Sequence, residues 1–236
     1  VESATGHLVY GVLFEPTDEG WAALDSKEGA PVCYRRNQRT VILPDGHWLT
    51  ATVYEVTPAK RKTSFCSPSE SYLASVATGL LSWQLPTDHL MRAAHHIASV
   101  ADISRLFVYG TLMQGQSRFS CFDTRTLLAI HEAQTQGCLH RTNYDFPVMT
   151  LLENNSLDHW VYGQLLQFSD LTEQLPMLDF IESFQGYDSH GCLYQRTLVM
   201  VNIDNHEQVL AWTYVAANPE LPKGKITSGR WTDGAL

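Results

Sequence analysis

Residues 161–182 read VYGQLLQFSDLTEQLPMLDFIE, and residues 9–28 read VYGVLFEPTDEGWAALDSKE. In each stretch an alternating, β-branched run, Val161-Tyr162-Gly163-Gln164-Leu165 or Val9-Tyr10-Gly11-Val12-Leu13, predicts a strand. Each run meets a capping cluster, Ser169-Asp170-Leu171-Thr172-Glu173 or Thr17-Asp18-Glu19, that predicts the start of a short helix. Both helices close on the pattern L-D-x-x-E, ending at Glu182 and at Glu28. Farther on, Tyr194-Gln195-Arg196 answers Tyr34-Arg35-Arg36, and twenty residues beyond each tyrosine Tyr214 answers Tyr54. Two copies of one strand, helix, strand, strand unit account for the pattern economically.

Between the copies, Pro68 to Val100 has helical spacing, with Thr87 or Asp88 as a cap behind Pro86 and with Leu90, Met91, Ala94, Ile97 and Ala98 on one face. This helix is expected to close the first domain. Leu106-Phe107-Val108-Tyr109 then reads as a strand entering a glycine-bearing turn, Gly110 to Gly115, that opens onto an expected helix around Phe119 to Ile130. Tyr109 precedes Glu182 by 73 residues, so its counterpart for Glu28 falls about 45 residues before Val1. The first copy is therefore expected to lack its opening strand and loop.

A chain of 236 residues suits two domains of a little over a hundred residues each. With 44% hydrophobic and 17% charged positions it has the means to build a core. Sixteen Lys and Arg against 25 Asp and Glu leave a net charge of −9. That balance removes the broad attraction on which sequence-independent nucleic-acid or anionic-membrane binding depends. Apolar runs fall short of the roughly 20 residues a membrane helix needs, and residues 1 to 15 lack a signal-peptide pattern. Since the first residue is Val, the chain is expected to begin inside a longer gene product. Cys33, Cys66, Cys121, Cys138 and Cys192 are odd in number and widely spaced, which suits reduced thiols in a cytoplasmic protein. Asn154-Asn155-Ser156 reads as a polar turn in that setting.

Gly110 to Ser117 superficially follows a phosphate-loop spacing, but Gln116 stands where the lysine would be. No G-x-S-x-G or H-E-x-x-H occurs, and His95-His96 has no companion carboxylate motif, so a metal site is not expected. Taken alone, Tyr109-Gly110-Thr111-Leu112 is a strand ending in a tight turn, and Glu182 and Glu28 are solvated carboxylates near helix ends.

The succession of motifs says more than any one of them: V-Y-G-T-L-M at 108–113, G-C-L-H at 137–140, V-Y-G-Q-L at 161–165, L-D-x-x-E at 178–182, Y-Q-R at 194–196, A-W-T-Y-V at 211–215 and S-G-R-W at 228–231. In this order they resemble the gamma-glutamylcyclotransferase-like family. The resemblance covers residues 105–234 as a complete domain and residues 7–98 as the carboxyl-terminal part of another copy, including Ser82-Trp83-Gln84-Leu85-Pro86. It implies an α+β fold with domains over 1–100 and 105–236, each a small mixed barrel-like β-sheet flanked by helices. Two departures bear on the shape of the site: Ser183 stands where the family usually has glycine (the first copy keeps Gly29), and Gln185 to Leu193 form an insertion.

The resemblance implies a transferase or lyase chemistry of the acyl group: the α-amine of a γ-glutamyl substrate attacks its own γ-carbonyl, releasing an amine or amino acid and leaving 5-oxoproline. Tethering makes a protein nucleophile, metal or cofactor unnecessary. It also implies Tyr109, Gly110, Thr111 and Leu112 as the substrate-binding loop, Glu182 as the proton acceptor, Tyr194 as a further pocket residue or a core tyrosine, and Glu28 as a vestigial or incomplete second site. The implied partner is a small γ-glutamyl molecule, with no nucleic acid or membrane. Proton transfer from an α-ammonium near pKa ~7.7 to a carboxylate near ~4.3 is uphill by about 4.6 kcal/mol. Glu182 therefore needs a desolvating environment, expected from Phe180, Ile181, Phe184 and Tyr187. The rival expectation is a non-catalytic binding or scaffold protein that keeps the fold.

Overall fold

In the computed structural model, residues 5–97, 101–152, 159–187, 189–203 and 207–232 are described. The chain divides into two compact units, Val1–Val41 with Thr50–Asp102, and Ile42–Leu49 with Ile103–Leu236.

The first unit begins with helix α1, Asp18–Glu28, whose Thr17 side chain accepts the Gly20 N–H. Strands β1, Tyr34–Ile42, and β2, Trp48–Val56, follow as a two-stranded sheet. Its turn, within residues 42–49, is grouped with the second unit. The expected long helix is two helices, α2 (Glu70–Ser82) and α3 (Asp88–Ala94). The break falls where Gln84 takes a left-handed φ of 56° and Pro86 removes a backbone donor. No barrel forms from the described residues of this unit, contrary to the expectation for both copies. Val9 to Leu13 is not a strand either, and Val9 is 67% exposed. A strand needs a ladder partner for its N–H and C=O groups, and no described residue pairs with this stretch.

The second unit supplies what the first lacks. Strands β3 (Arg105–Val108), β4 (Leu127–Gln136), β7 (Trp160–Phe168), β8 (Tyr194–Ile203) and β9 (Glu207–Ala216) close into a barrel of order β3-β7-β4-β8-β9. Closure comes from a parallel pairing of Leu106 with Trp212. A separate hairpin of β5 (Cys138–Arg141) and β6 (Pro147–Thr150) pairs Leu139 with Met149. The core alternates along the strands as a half-buried sheet requires: Val209, Ala211 and Val215 on β9 meet Val199 and Val201 on β8, and Val161 and Leu165 on β7. Each fully buried Leu, Val or Phe stabilises the barrel by roughly 1.5–3 kcal/mol relative to exposure.

Two local expectations are corrected. Phe119 to Ile130 is no helix: Phe119–Cys121 is one 3-10 turn, and Leu127 onward is β4. Pairing on both sides, Ala133 with Gly163 of β7 and with Ile203 of β8, overrides the local helical spacing. Ser169 to Glu173 does not start a helix, because Asp170 accepts the Thr172 N–H in a turn and helix α4 runs over Leu175–Ile181 with Pro176 in its first turn. Residues 98–100 of the expected long helix, and Asn154-Asn155-Ser156, lie outside the described residues. All five cysteines are free. Among the described residues, no helix is long and apolar enough to cross a membrane.

Candidate active site

Strand β3 delivers Val108 and Tyr109 to the mouth of the barrel, and the chain turns at once. Met113 N–H donates to Gly110 O at 3.0 Å, and Arg118 N–H to Thr111 O at 2.8 Å, closing the loop on itself. Gln164 of β7 pins it from outside, its Oε1 accepting the Gln114 N–H at 2.7 Å. The N–H groups of Gly110, Thr111 and Leu112 have no acceptor among the described residues. Buried donors of this kind are costly to leave unpaired, and three in succession form a natural anion cradle. Gly110 also makes room for protein: a Cβ there would stand 2.7 Å from Pro147 Cγ.

Glu182 reaches the same place from α4. Phe184 N–H donates to Asp179 O and Ser183 N–H to Phe180 O, the paired bonds of a Schellman end, with Ser183 at φ 54°. Beneath this turn the Asp179 carboxylate is gripped by Arg196 Nη1 at 2.9 and 3.0 Å and by the Tyr214 hydroxyl at 2.7 Å. Burial pushes the Asp179 carboxyl up, and Arg196 and Tyr214 pull it back. Helix α4 is thus tied to β8 and β9 one turn before Glu182.

Tyr109, Gly110, Thr111, Leu112, Tyr194 and Glu182 line one pocket. Phe107, Val108, Phe146 and Pro147 supply apolar wall, and Arg118 is the cation on its lining. Glu182 is 8% exposed, and no donor among the described residues hydrogen-bonds its carboxylate. Its pKa is pushed up to about 7, chiefly by burial, with Arg118 opposing. Of the four sequence neighbours expected to desolvate it, Phe184 is buried and Phe180 is not. Phe180 is 84% exposed, while the enclosing apolar residues belong to β3, β6 and the turn before β6.

The two tyrosines are committed through their hydroxyls. Tyr109 donates to Tyr214 O at 2.7 Å and accepts the Met149 N–H at 3.1 Å. Tyr194 donates to Pro147 O at 2.7 Å. Burial raises both pKa values well beyond the usual phenol range, so each stays neutral. Sequence reasoning missed Arg118, Gln164 and the Asp179–Arg196–Tyr214 cluster. The last had a signal, because Asp25, Arg36 and Tyr54 stand at the matching positions of the earlier stretch.

In the first unit those positions make the same cluster. Arg36 Nη2 reaches Asp25 Oδ2 at 2.7 Å, and the Tyr54 hydroxyl donates to Asp25 Oδ1 at 2.6 Å. Helix α1 ends in the same paired bonds, Ala30 N–H to Asp25 O and Gly29 N–H to Ser26 O, with Gly29 at φ 62°. Glu28 thus stands at the helix position that Glu182 occupies. No counterpart of the Tyr109–Leu112 loop exists among the described residues of this unit. His95 and His96 end α3, and no group of three His, Cys, Asp or Glu is arranged to hold a metal among the described residues.

The family described as gamma-glutamyl cyclotransferase, AIG2-like, matches residues 1–74 and 106–233. A Gamma-L-glutamyl-butirosin B gamma-glutamyl cyclotransferase from Niallia circulans is 34% identical over 110 residues, spanning 47% of this chain and 65% of that protein. Among solved structures, YkqA from Bacillus subtilis is similar at 26% identity and TM-score 0.40, over 54% of this chain and 39% of that one. An AIG2-like protein from Mus musculus is similar at 23% identity and TM-score 0.37, over 51% and 84% respectively.

Proposed function

The chain belongs to the gamma-glutamyl cyclotransferase, AIG2-like family, and from that premise we propose that its second unit cyclises a γ-glutamyl compound, releasing 5-oxoproline and an amine or amino acid. The observation that carries this reading is the Glu182 carboxylate: buried, free of hydrogen-bond donors, raised to about 7, and in one pocket with three uncommitted N–H groups. In this reaction the Gly110–Leu112 N–H groups hold the α-carboxylate and fold the substrate so that its α-amine faces its γ-carbonyl. The amine nitrogen bonds to the carbonyl carbon while its proton passes to Glu182. The amide C–N bond then breaks, and Glu182 returns the proton to the departing nitrogen. With Glu182 near 7 the first transfer is uphill by roughly 1 kcal/mol rather than about 4.6. The chemistry is acyl transfer within one molecule with elimination of an amine.

Residues 1–100 are read as the carboxyl-terminal part of a first copy and 105–236 as a complete second copy. The matching Asp25–Arg36–Tyr54 and Asp179–Arg196–Tyr214 clusters support this, as do the matching helix ends. Glycine supports it too: a Cβ on Gly163 would meet Val108 O of β3 at 2.1 Å, whereas one on Gly11 would meet nothing within 4 Å. For the first copy this favours a second reading, a retained fold element without turnover. The experiment is to incubate the protein with a panel of γ-glutamyl amino acids, peptides and amines and assay 5-oxoproline. Release that is abolished by Glu182→Gln supports the proposal, and no release from any member sinks it.

A further inference from the structure

Arg118 has no place in the chemistry above, yet it lines the pocket. Its backbone N–H closes the loop on Thr111 O, which fixes where the side chain starts. The guanidinium lies 5.8 Å from the Phe146 ring centroid, and Phe146 in turn stacks on Tyr144 at 5.3 Å and 14°. No carboxylate among the described residues pairs with it. As a cation near Glu182 it opposes the burial that makes that carboxylate a better base. A charge that works against the base needs another use, and the pocket offers one.

The pocket has a buried end and an exposed end. Gly110, Thr111 and Leu112 are buried, as is Glu182, while Phe146 is half-buried and Arg118 exposed. The glutamyl end of a substrate must occupy the buried end, because its α-amine has to reach Glu182 and its α-carboxylate the three free N–H groups. The group on the far side of the scissile amide then extends outward past Phe146 to Arg118. Resting on the cyclotransferase reading, we propose that Arg118 and Phe146 form a leaving-group subsite for a carboxylate, so that γ-glutamyl amino acids or peptides with a free carboxylate are preferred over γ-glutamyl amines. The planar guanidinium can take a carboxylate by two parallel hydrogen bonds, and the Phe146 ring 5.8 Å away offers it an aromatic face.

The test compares γ-glutamyl-alanine with γ-glutamyl-ethylamide, which share the glutamyl group and differ in the leaving-group carboxylate. Wild-type protein is expected to favour the first in kcat/KM by about tenfold or more, the size of one partly exposed charge-assisted bond. Arg118→Gln should remove most of that preference, lowering kcat/KM for γ-glutamyl-alanine several-fold more than for the ethylamide, and Arg118→Lys should restore part of it. Equal losses on both substrates would place Arg118 on the shared α-carboxylate and overturn the subsite. No preference in the wild type overturns it as well. Calorimetric affinities of the same pair separate this proposal from the cyclisation reading. Without 5-oxoproline release, a preference for γ-glutamyl-alanine lost in Arg118→Gln keeps the subsite and removes only the turnover. Absence of binding to either compound overturns both.

Discussion

Glu182 is a carboxylate whose neutral form the fold favours, and the consequences run in two directions. As the proposed base it must be charged, so kcat/KM should rise with pH through an inflection near 7, and Glu182→Gln should lower turnover by about 10²–10⁴. As a buried group it costs stability when charged. Unfolded, it ionises near its ordinary value of 4.5; folded, near 7. Below the first value both states hold the proton and nothing is lost. Between the two the unfolded state sheds it and stability falls, and above 7 the loss levels off at roughly 3 kcal/mol. Glu182→Gln should therefore gain stability over wild type from about pH 4.5 to 7 in denaturant titrations. An equal difference at pH 4 and pH 8 would contradict the burial. Ser183 sits beside it at φ 54°, where the matching helix end of the first unit has Gly29 at φ 62°. Relief of left-handed strain predicts that Ser183→Gly raises stability by about 1 kcal/mol, read from the denaturation midpoint.

At the scale of elements, the same motif meets two different environments. The side chains of Asp179 and Arg196 are 19% and 8% exposed, against 40% and 38% for Asp25 and Arg36. Asp179→Asn leaves a nearly buried guanidinium without its charge partner and should cost about 3 kcal/mol. It should also loosen the end of α4 and lower kcat with the position of Glu182. Asp25→Asn, in an exposed pair, should have only a small effect on either measurement. The glycines make a parallel contrast. Gly163→Ala forces β3 and β7 apart, since the new carbon would lie 2.1 Å from a backbone oxygen, and should cost about 3 kcal/mol or more, read as a fall in thermal midpoint. Gly11→Ala, in open space, should leave the midpoint unchanged.

For the whole molecule, the two units differ in what they bury. The second unit closes its sheet around Phe107, Leu139, Met149 and Val201. In the first, Val9, Leu13, Phe14, Val32, Tyr72 and Trp83 are each more than half exposed. Apolar surface of that kind normally marks a face that packs against something else. With no facing loop among the described residues of its unit, Glu28 should be dispensable: Glu28→Gln is expected to leave 5-oxoproline release unchanged. A loss of more than about tenfold, roughly 1.4 kcal/mol at the transition state, would give the first unit a part in catalysis.

What the sequence determined by itself was whatever repeats or alternates locally. Thr17 as a cap, the β-branched run at 161–165, the two L-D-x-x-E helix ends and the loop after Val108 were all legible, because caps, turns and strand periodicity act within a few residues. The paired positions Asp179, Arg196 and Tyr214 were visible as a recurrence, but not as a cluster. Tertiary structure decided the rest. It made Leu127 onward a strand by giving it partners on both sides, and left Val9 to Leu13 without one. It supplied the desolvation of Glu182 from β3, β6 and the turn before β6, not from Phe180, and it placed Arg118 on the pocket lining. Burial and electrostatic coupling sum over neighbours in space, and chain order carries no record of which residues those will be.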